Sequence, residues 1–323
     1  MNKKKNGFLN TFIDTIKTHI GILGGLLLMC IVLSIITNSF LTPRNLFNVL
    51  RQISVNVFLA CGMTMIIILG GIDLSVGSTI AVSGCLCAGL ITRMGMPTLL
   101  AVLISILAGG VIGLINGLIV SRTTIPPFIV TLATMNIGRG IARVYTQNKT
   151  IAVSDPTFSF IGTGYIFGIP IHVIFIVIIV VITSLILNRT QFGRHIYAVG
   201  GNKTAAIYAG INASRVTLTV FLLSGLFAGM AGILTASRTF TGQYSLGDGA
   251  EMDAITAVVL GGTSMSGGVG TLGGTIIGCM IVGVLNNGMN LLGIDSSWQY
   301  IVQGVVVLLA VFIDFFKKRG LKF

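Results

Sequence analysis

Long apolar runs alternate with short polar interruptions along most of this chain. They lie at about 20–39, 46–69, 75–92, 97–120, 126–145, 171–188, 216–237, 252–262, 271–292 and 298–315. A helix needs about 20 predominantly apolar residues to cross the hydrocarbon core of a bilayer. The pattern therefore predicts an all-α polytopic membrane protein with about ten transmembrane helices, eight or nine being the alternatives. Residues 1–323 form one integral membrane domain on this reading. The window at 252–262 is short for a crossing and marks a short or broken helix. Lys3, Lys4 and Lys5 followed by the apolar run from Ile20 imitate a secretory leader. No small-x-small cleavage site follows Thr37, so an uncleaved first crossing is expected.

The charges between the windows orient them. With the Lys-rich residues 1–19 as a cytoplasmic tail, an even count returns 316–323, with Lys317, Lys318, Arg319 and Lys322, to the same side, as the positive-inside rule requires. The same parity puts 146–170, with only Lys149 against Asp155, outside. It puts 189–215 inside, carrying Arg189, Arg194, Lys203 and Arg215 with no acid. The loop 238–253, with Asp248, Glu251 and Asp253, falls outside.

Composition supports the membrane reading. Only 9% of the residues are charged and 54% are hydrophobic, against about 25% charged in soluble domains. A mean hydropathy of +0.98 excludes a disordered chain despite 43 glycines. Small residues let transmembrane helices approach closely. The net charge of +12 sits in loops and tails and concerns topology, so no nucleic-acid partner is expected. Cys30, Cys61, Cys85, Cys87 and Cys279 all lie in apolar runs, where cysteine acts as a small hydrophobe. No metal site is expected, since Cys85 and Cys87 have no acidic or His companion.

An enzyme should show a catalytic set, and none is expected. His19, His172 and His195 have no evident carboxylate or nucleophile partner, and no HExxH or GxSxG run is present. Gly200-Gly201-Asn202-Lys203-Thr204 lacks the glycine before lysine and the upstream strand of a phosphate-binding loop, so nucleotide hydrolysis by this chain is not expected.

Two glycine-rich stretches stand out. Leu69-Gly70-Gly71, with Ser75 after it, matches Leu260-Gly261-Gly262, with Ser266 after it. Glycine-interrupted helices at corresponding positions point to a transport pathway. Gly-Gly ends a helix, and Asp73 or Ser75 then suits the N-cap of the next one. Non-helical backbone at membrane depth must be covered by protein or line a water-filled cavity. Asn136, Arg139 and Arg143 share a helical face, of which Asn136 and Arg139 are the candidates for a polar path. Asn286, Asn287 and Asn290 read as interhelical hydrogen-bonding residues. Aromatic residues make up 8% of the chain, with one Trp, so a sugar cargo would be held weakly.

Four stretches resemble the permease subunits of bacterial monosaccharide ATP-binding-cassette importers, closest to the ribose permease branch. They are LTPRNLFNVLRQISVN (41–56), GMTMIIILGGIDLSVGS (62–78), GRHIYAVGGNKTAAIYAGIN (193–212) and EMDAITAVVLGGTSMSGGVGTLGGTIIG (251–278). The resemblance runs from about Phe40 to Asp314. It implies a type II, vitamin-B12-importer-like architecture in the bacterial cytoplasmic membrane, with both termini cytoplasmic. It also implies a second permease copy, a separate ATPase that binds ATP and magnesium, and an extracytoplasmic sugar-binding protein. No cofactor is implied for this chain, and lipid is its remaining partner. Gly193, Arg194, Gly200, Gly201, Asn202, Ala205 and Ala206 match the element that couples to the ATPase. Asp248 and Glu251 are the expected contacts for the binding protein. The implied function is import of a monosaccharide, ribose first, with xylose, galactose or a furanosyl signal as alternatives. A proton- or sodium-driven carrier is the reading from another class, weakened because Asp73 is the only acid clearly within the apolar part.

Overall fold

The computed structural model describes the backbone of residues 5–318 and the side chains of 20–295, 297–309 and 311–312. The elements in order are α1 (Lys5–Ile36), α2 (Pro43–Ile68), α3 (Val76–Met94), α4 (Thr98–Arg122), α5 (Pro127–Thr146), β1 (Ile151–Ala152), α6 (Pro156–Thr163), β2 (Tyr165–Ile166), β3 (Ile169–Pro170), α7 (Ile171–Arg189), α8 (Gln191–Gly201), α9 (Lys203–Tyr208), α10 (Ala213–Thr239), β4 (Thr241–Gly242), α11 (Ala250–Leu260), α12 (Leu272–Leu291) and α13 (Ser296–Lys318). The fold is helical, with two antiparallel two-residue ribbons, β1 with β4 and β2 with β3.

Every apolar window has a helix, but the windows are not equivalent as crossings. Six helices among the described residues are long and apolar enough to span a membrane: α2, α3, α4, α7, α10 and α12. Ile20–Ile36 of α1 and Ser297–Leu309 of α13 are shorter apolar stretches. The α5 helix has 20 residues but carries Asn136, Arg139 and Arg143. The α11 helix has 11 residues, about half of what a crossing needs. The stretch 1–19, expected as a tail, is helical from Lys5, and 316–323 is described only to Lys318, as the end of α13.

Two helices form the centre. α2 is buried along nearly its whole second half, from Ile53 to Ile68, between α10, α12, α7 and α11. Its start is well specified: Thr42 Oγ1 accepts from Asn45 N, and Pro43 occupies the first turn, where a missing N–H costs nothing. α10 makes its most extensive contact with α4. Gly109 and Gly113 on α4 face Gly225 and Gly229 on α10, Gly117 faces Leu218 and Phe221, and a Cβ on Gly109 would lie 2.6 Å from the Gly225 carbonyl oxygen. Removing side chains at every fourth position lets the two backbones touch, which gives lipid-embedded helices their packing energy. Polar side-chain pairs line the seam between α2 and α12. Asn45 and Asn287 exchange two amide hydrogen bonds of 3.0 and 2.9 Å, and Thr64 meets Thr275 at 2.9 Å.

The segment expected as a basic inner loop, 189–215, is itself helical. Thr190 caps α8 by accepting from Gly193 N, and Asn202 caps α9 by accepting from Ala205 N. Asn212 caps α10 through Arg215 N. Gly193 is buried at the α7–α8 corner, where a Cβ would strike the Ile186 and Leu187 carbonyl groups.

Candidate functional site

The two glycine breaks use the same helix-ending device. At the end of α2, Gly70 N donates to Ile67 O at 2.8 Å and Gly71 N to Ile66 O at 2.9 Å, with Gly70 at φ +82°. At the end of α11, Gly262 N donates to Val259 O at 2.9 Å and Thr263 N to Val258 O at 3.2 Å, with Gly262 at φ +87°. Both are Schellman ends with glycine in the left-handed position that other residues avoid. The structural match is slipped by one residue from the sequence match: Gly70 corresponds to Gly262, not to Gly261. Gly261 instead packs against α12, where a Cβ would lie 2.5 Å from the Gly274 carbonyl group.

The likeness also ends sooner than the sequence suggests. Ser75 occupies the N-cap position of α3, whereas α12 is capped by Thr271 through Gly274 N, and Ser266 lies exposed in the loop before it. Neither Asp73 nor Ser75 caps α3 as expected. Ser75 already has helical dihedrals, φ −76° and ψ −12°, and makes no side-chain cap bond. A capping side chain needs an extended residue to reach forward to the first-turn N–H groups.

Asp73 instead anchors a buried network. Its side chain is 1% exposed. Oδ1 accepts from Ser75 N at 2.9 Å and Ser75 Oγ at 2.6 Å, and Oδ2 accepts from Ser224 Oγ of α10 at 3.4 Å. Asn116 Nδ2 of α4 donates to Ser75 Oγ at 2.9 Å, and Thr134 Oγ1 of α5 donates to Asn116 Oδ1 at 2.6 Å. One carboxylate thus ties the start of α3 to three other helices. A buried polar group is tolerable because its acceptors are filled.

The breaks meet each other through α8. Gly268 N donates to Ile68 O, the last carbonyl of α2, at 2.8 Å. Gly200, at the end of α8, packs against that same carbonyl, with a Cβ position 2.9 Å from Gly268 N. Tyr197 Oη donates to Gly270 O at 2.9 Å. So α8 is wedged where the end of α2 meets the glycine-rich segment that follows α11. Of the coupling residues, Gly193 and Ala206 are buried and Gly200 is half-buried, so these three present little or no surface to a partner. Arg194, Gly201, Asn202 and Ala205 are exposed. A Cβ on Gly201 would meet nothing within 4 Å.

Beside the first turns of α3, residues expected to act separately share one hollow of about 390 Å³. It is lined by Asn136, Arg139 and Arg143 of α5 with Tyr244, Asp248 and Glu251. Arg139 donates to the Tyr244 and Leu246 carbonyl oxygens at 2.8 and 2.6 Å and lies 3.7 Å from Asp248. Arg143 stacks over the Tyr244 ring at 5.2 Å. Asn136 is exposed and donates to Leu132 O of its own helix. Glu251, expected to meet a partner protein, is 8% exposed and lies where a Gly77 Cβ would be, so Asp248 is the exposed one of the two acids.

Three residues escaped sequence reasoning: Gln52 of α2 and Gln299 and Gln303 of α13 line another hollow together with Asp253 and with Asn286 of α12, the last already read as a hydrogen-bonding residue between helices. Their signal was an amide recurring every fourth position, as in Asn48 and Gln52, Asn286 and Asn290, or Gln299 and Gln303. Among the described residues, no cluster of three His, Cys, Asp or Glu is placed to hold a metal.

Residues 45–311 match the family described as the permease component of the branched-chain amino acid transport system. The chain belongs to this family. The permease is 45% identical to the ribose import permease protein RbsC of Bacillus subtilis strain 168, over 93% of this chain and 94% of that one. It is 42% identical to RbsC of Escherichia coli K12, over 90% and 91%. The D-allose transport system permease protein AlsC of the same strain is 38% identical, over 85% and 84%. No solved structure matches the chain. As a permease component it is a transport protein of the membrane and not an enzyme.

Proposed function

We infer that this chain is the transmembrane subunit of an ATP-driven importer that brings a monosaccharide, D-ribose first, from an extracytoplasmic binding protein into the cell. The family supports the importer. The identity of 42–45% to ribose permeases over at least 90% of the chain supports the sugar. Two permease copies work with cytoplasmic ATPase subunits that bind ATP and magnesium. On this reading ten helices cross or enter the cytoplasmic membrane in a type II arrangement, with both termini, the α8–α9 segment and the two glycine breaks on the cytoplasmic side.

The observation that carries the mechanism is the wedge made by α8. The exposed faces around Arg194, Gly201, Asn202 and Ala205 meet the ATPase, and Gly200 transmits the push directly to the last carbonyl of α2 and to Gly268. Closure of the ATPases on ATP displaces α8 and shifts both helix ends at once. Because those ends already break in Schellman turns, they move without tearing a continuous helical hydrogen-bond ladder. Asp73, next to the first break, keeps the start of α3 attached to α4, α5 and α10 during that motion. Outside, Asp248 and the Arg139 hollow face the docked binding protein. Substrate enters a weakly binding path between the two copies.

Reconstitution tests this directly. Proteoliposomes holding the permease and its ATPase should accumulate D-ribose only with the loaded binding protein outside and ATP inside. Accumulation by this chain alone, driven by a proton or sodium gradient, would establish a secondary carrier instead.

A further inference from the structure

Two hollows meet at Gln52 on α2. The larger, of about 520 Å³, is bounded by Asn45, Asn48, Arg51, Arg238 and Asn290. The smaller, of about 200 Å³, lies between α2, the start of α11, the end of α12 and the start of α13. Gln52, Asp253, Asn286, Gln299, Tyr300 and Gln303 line it. Its lining is a run of side-chain amides linked in relay. Asn286 Nδ2 donates to Asp253 Oδ2 at 3.1 Å, and Gln303 Nε2 donates to Asn286 Oδ1 at 3.5 Å. Gln299 Nε2 donates to Asn290 Oδ1 at 2.8 Å. The relay uses one N–H of Gln303, Gln299 Nε2 also donates to Ile294 O at 3.5 Å, and the Oε1 atoms of both remain as acceptors. Among the described residues, Gln52 makes no side-chain hydrogen bond, so its whole amide is available. Asp253 Oδ1 is buried without a partner beside the same hollow.

We propose that this amide-lined hollow seats a single monosaccharide ring on its way through the permease, a reading that rests on the importer function above. Sugar hydroxyls both donate and accept, and side-chain amides are the neutral groups that do the same. The size suits one ring of about ten heavy atoms, well below the ~300–1,000 Å³ of sites for larger ligands. The lining of the smaller hollow itself disfavours other cargo. A branched-chain amino acid, the cargo in the family's own description, needs a cation for its carboxylate and an apolar wall for its side chain. The smaller hollow has no Lys or Arg in its lining, it presents Asp248 and Asp253 to an incoming carboxylate, and Tyr300 is its only large ring. A metal cation fits no better, because Asp248 is already beside Arg139 and Asp253 is bound by Asn286. Each hydroxyl exchanges water for amide at a net gain of only about 0.5–1.5 kcal/mol. With one tyrosine to stack on, the seat is weak, as a site that must release its cargo has to be.

The competing account is that these amides merely glue α12 and α13 to α2. The full importer in proteoliposomes separates the two, using Gln52→Leu, Gln303→Leu and the conservative Gln52→Asn, with D-ribose as the probe. The hollow is on the path if the Leu variants lower ribose uptake by about fivefold or more while ATP hydrolysis stimulated by the loaded binding protein stays within about twofold. Gln52→Asn should then recover most of the uptake. Unchanged uptake in both Leu variants overturns the proposal. So does a parallel fall in uptake, hydrolysis and thermal stability, which is the signature of glue. A wild-type complex that hydrolyses ATP on docking yet carries no ribose overturns the importer reading for this sugar, which the variants alone would not do.

Discussion

Gly200 and Gly201 are neighbours with opposite constraints, and the pair makes a sharp test. A methyl group at Gly200 would run into the Ile68 carbonyl, whereas one at Gly201 would meet open space. Overpacking of this kind costs about 1–3 kcal/mol. Gly200→Ala should therefore lower the thermal unfolding midpoint in detergent and cut uptake, and Gly201→Ala should leave the midpoint unchanged. Equal midpoints for the two variants would show that the α8 wedge is absent in solution. Asp73 gives a second comparison at this scale. Asp73→Asn keeps an acceptor for Ser75, whereas Asp73→Ala strands the Ser75 N–H and hydroxyl, at about 1–3 kcal/mol for each buried orphan. The Asn variant should be recovered from membranes in better yield than the Ala variant, and the reverse order would exclude the network.

Elements differed in how far they could be read. The six long apolar helices were legible because apolar length is nearly a one-dimensional property, whereas the other four windows gave shorter or more polar helices. The α8 and α9 helices were not, although Thr190 and Asn202 stand in the chain as capping residues, because a basic loop and a short amphipathic helix share a composition. The Arg139 hollow was half legible. Arg139 and Asp248 each stood out, but only tertiary structure reveals that they face one another, since α5 and the loop before α11 are about a hundred positions apart. The one-residue slip between the glycine breaks was invisible for a related reason: Leu-Gly-Gly aligns by letters, while the left-handed residue is fixed by where each helix stops. The short α6 supports a test of pH dependence. Asp155 caps it, accepting from Phe158 N and Thr98 Oγ1, and these bonds hold its carboxyl below the usual carboxylate range. A depressed folded-state value means that the stabilisation is complete at neutral pH and is lost as pH falls below about 4. Amide exchange at Phe158 should accelerate over that acid range in the wild type, and Asp155→Asn should flatten the dependence.

For the whole molecule, the topology can be tested by labelling. The five native cysteines are free, four of them buried and Cys30 half-buried, so an introduced thiol reports with little background. Gly201→Cys should react with a membrane-impermeant maleimide in inside-out vesicles and not in intact cells, and Asp248→Cys should do the opposite. Labelling of both from one side would overturn the proposed orientation.

The glycine stripe between α4 and α10 has a mechanical consequence. Where backbone meets backbone at Gly109, Gly113, Gly225 and Gly229, there are no side chains to slide or re-pack, so a change of angle between the two helices would open a gap there. The pair behaves as one stiff blade, and rocking must be taken up at seams lined by side chains, such as that between α2 and α12. Spin labels on α4 and α10 should keep their separation throughout the ATP cycle, while labels on α2 and α12 should not. A transporter built this way has its fulcrum written in residues that have no side chains at all.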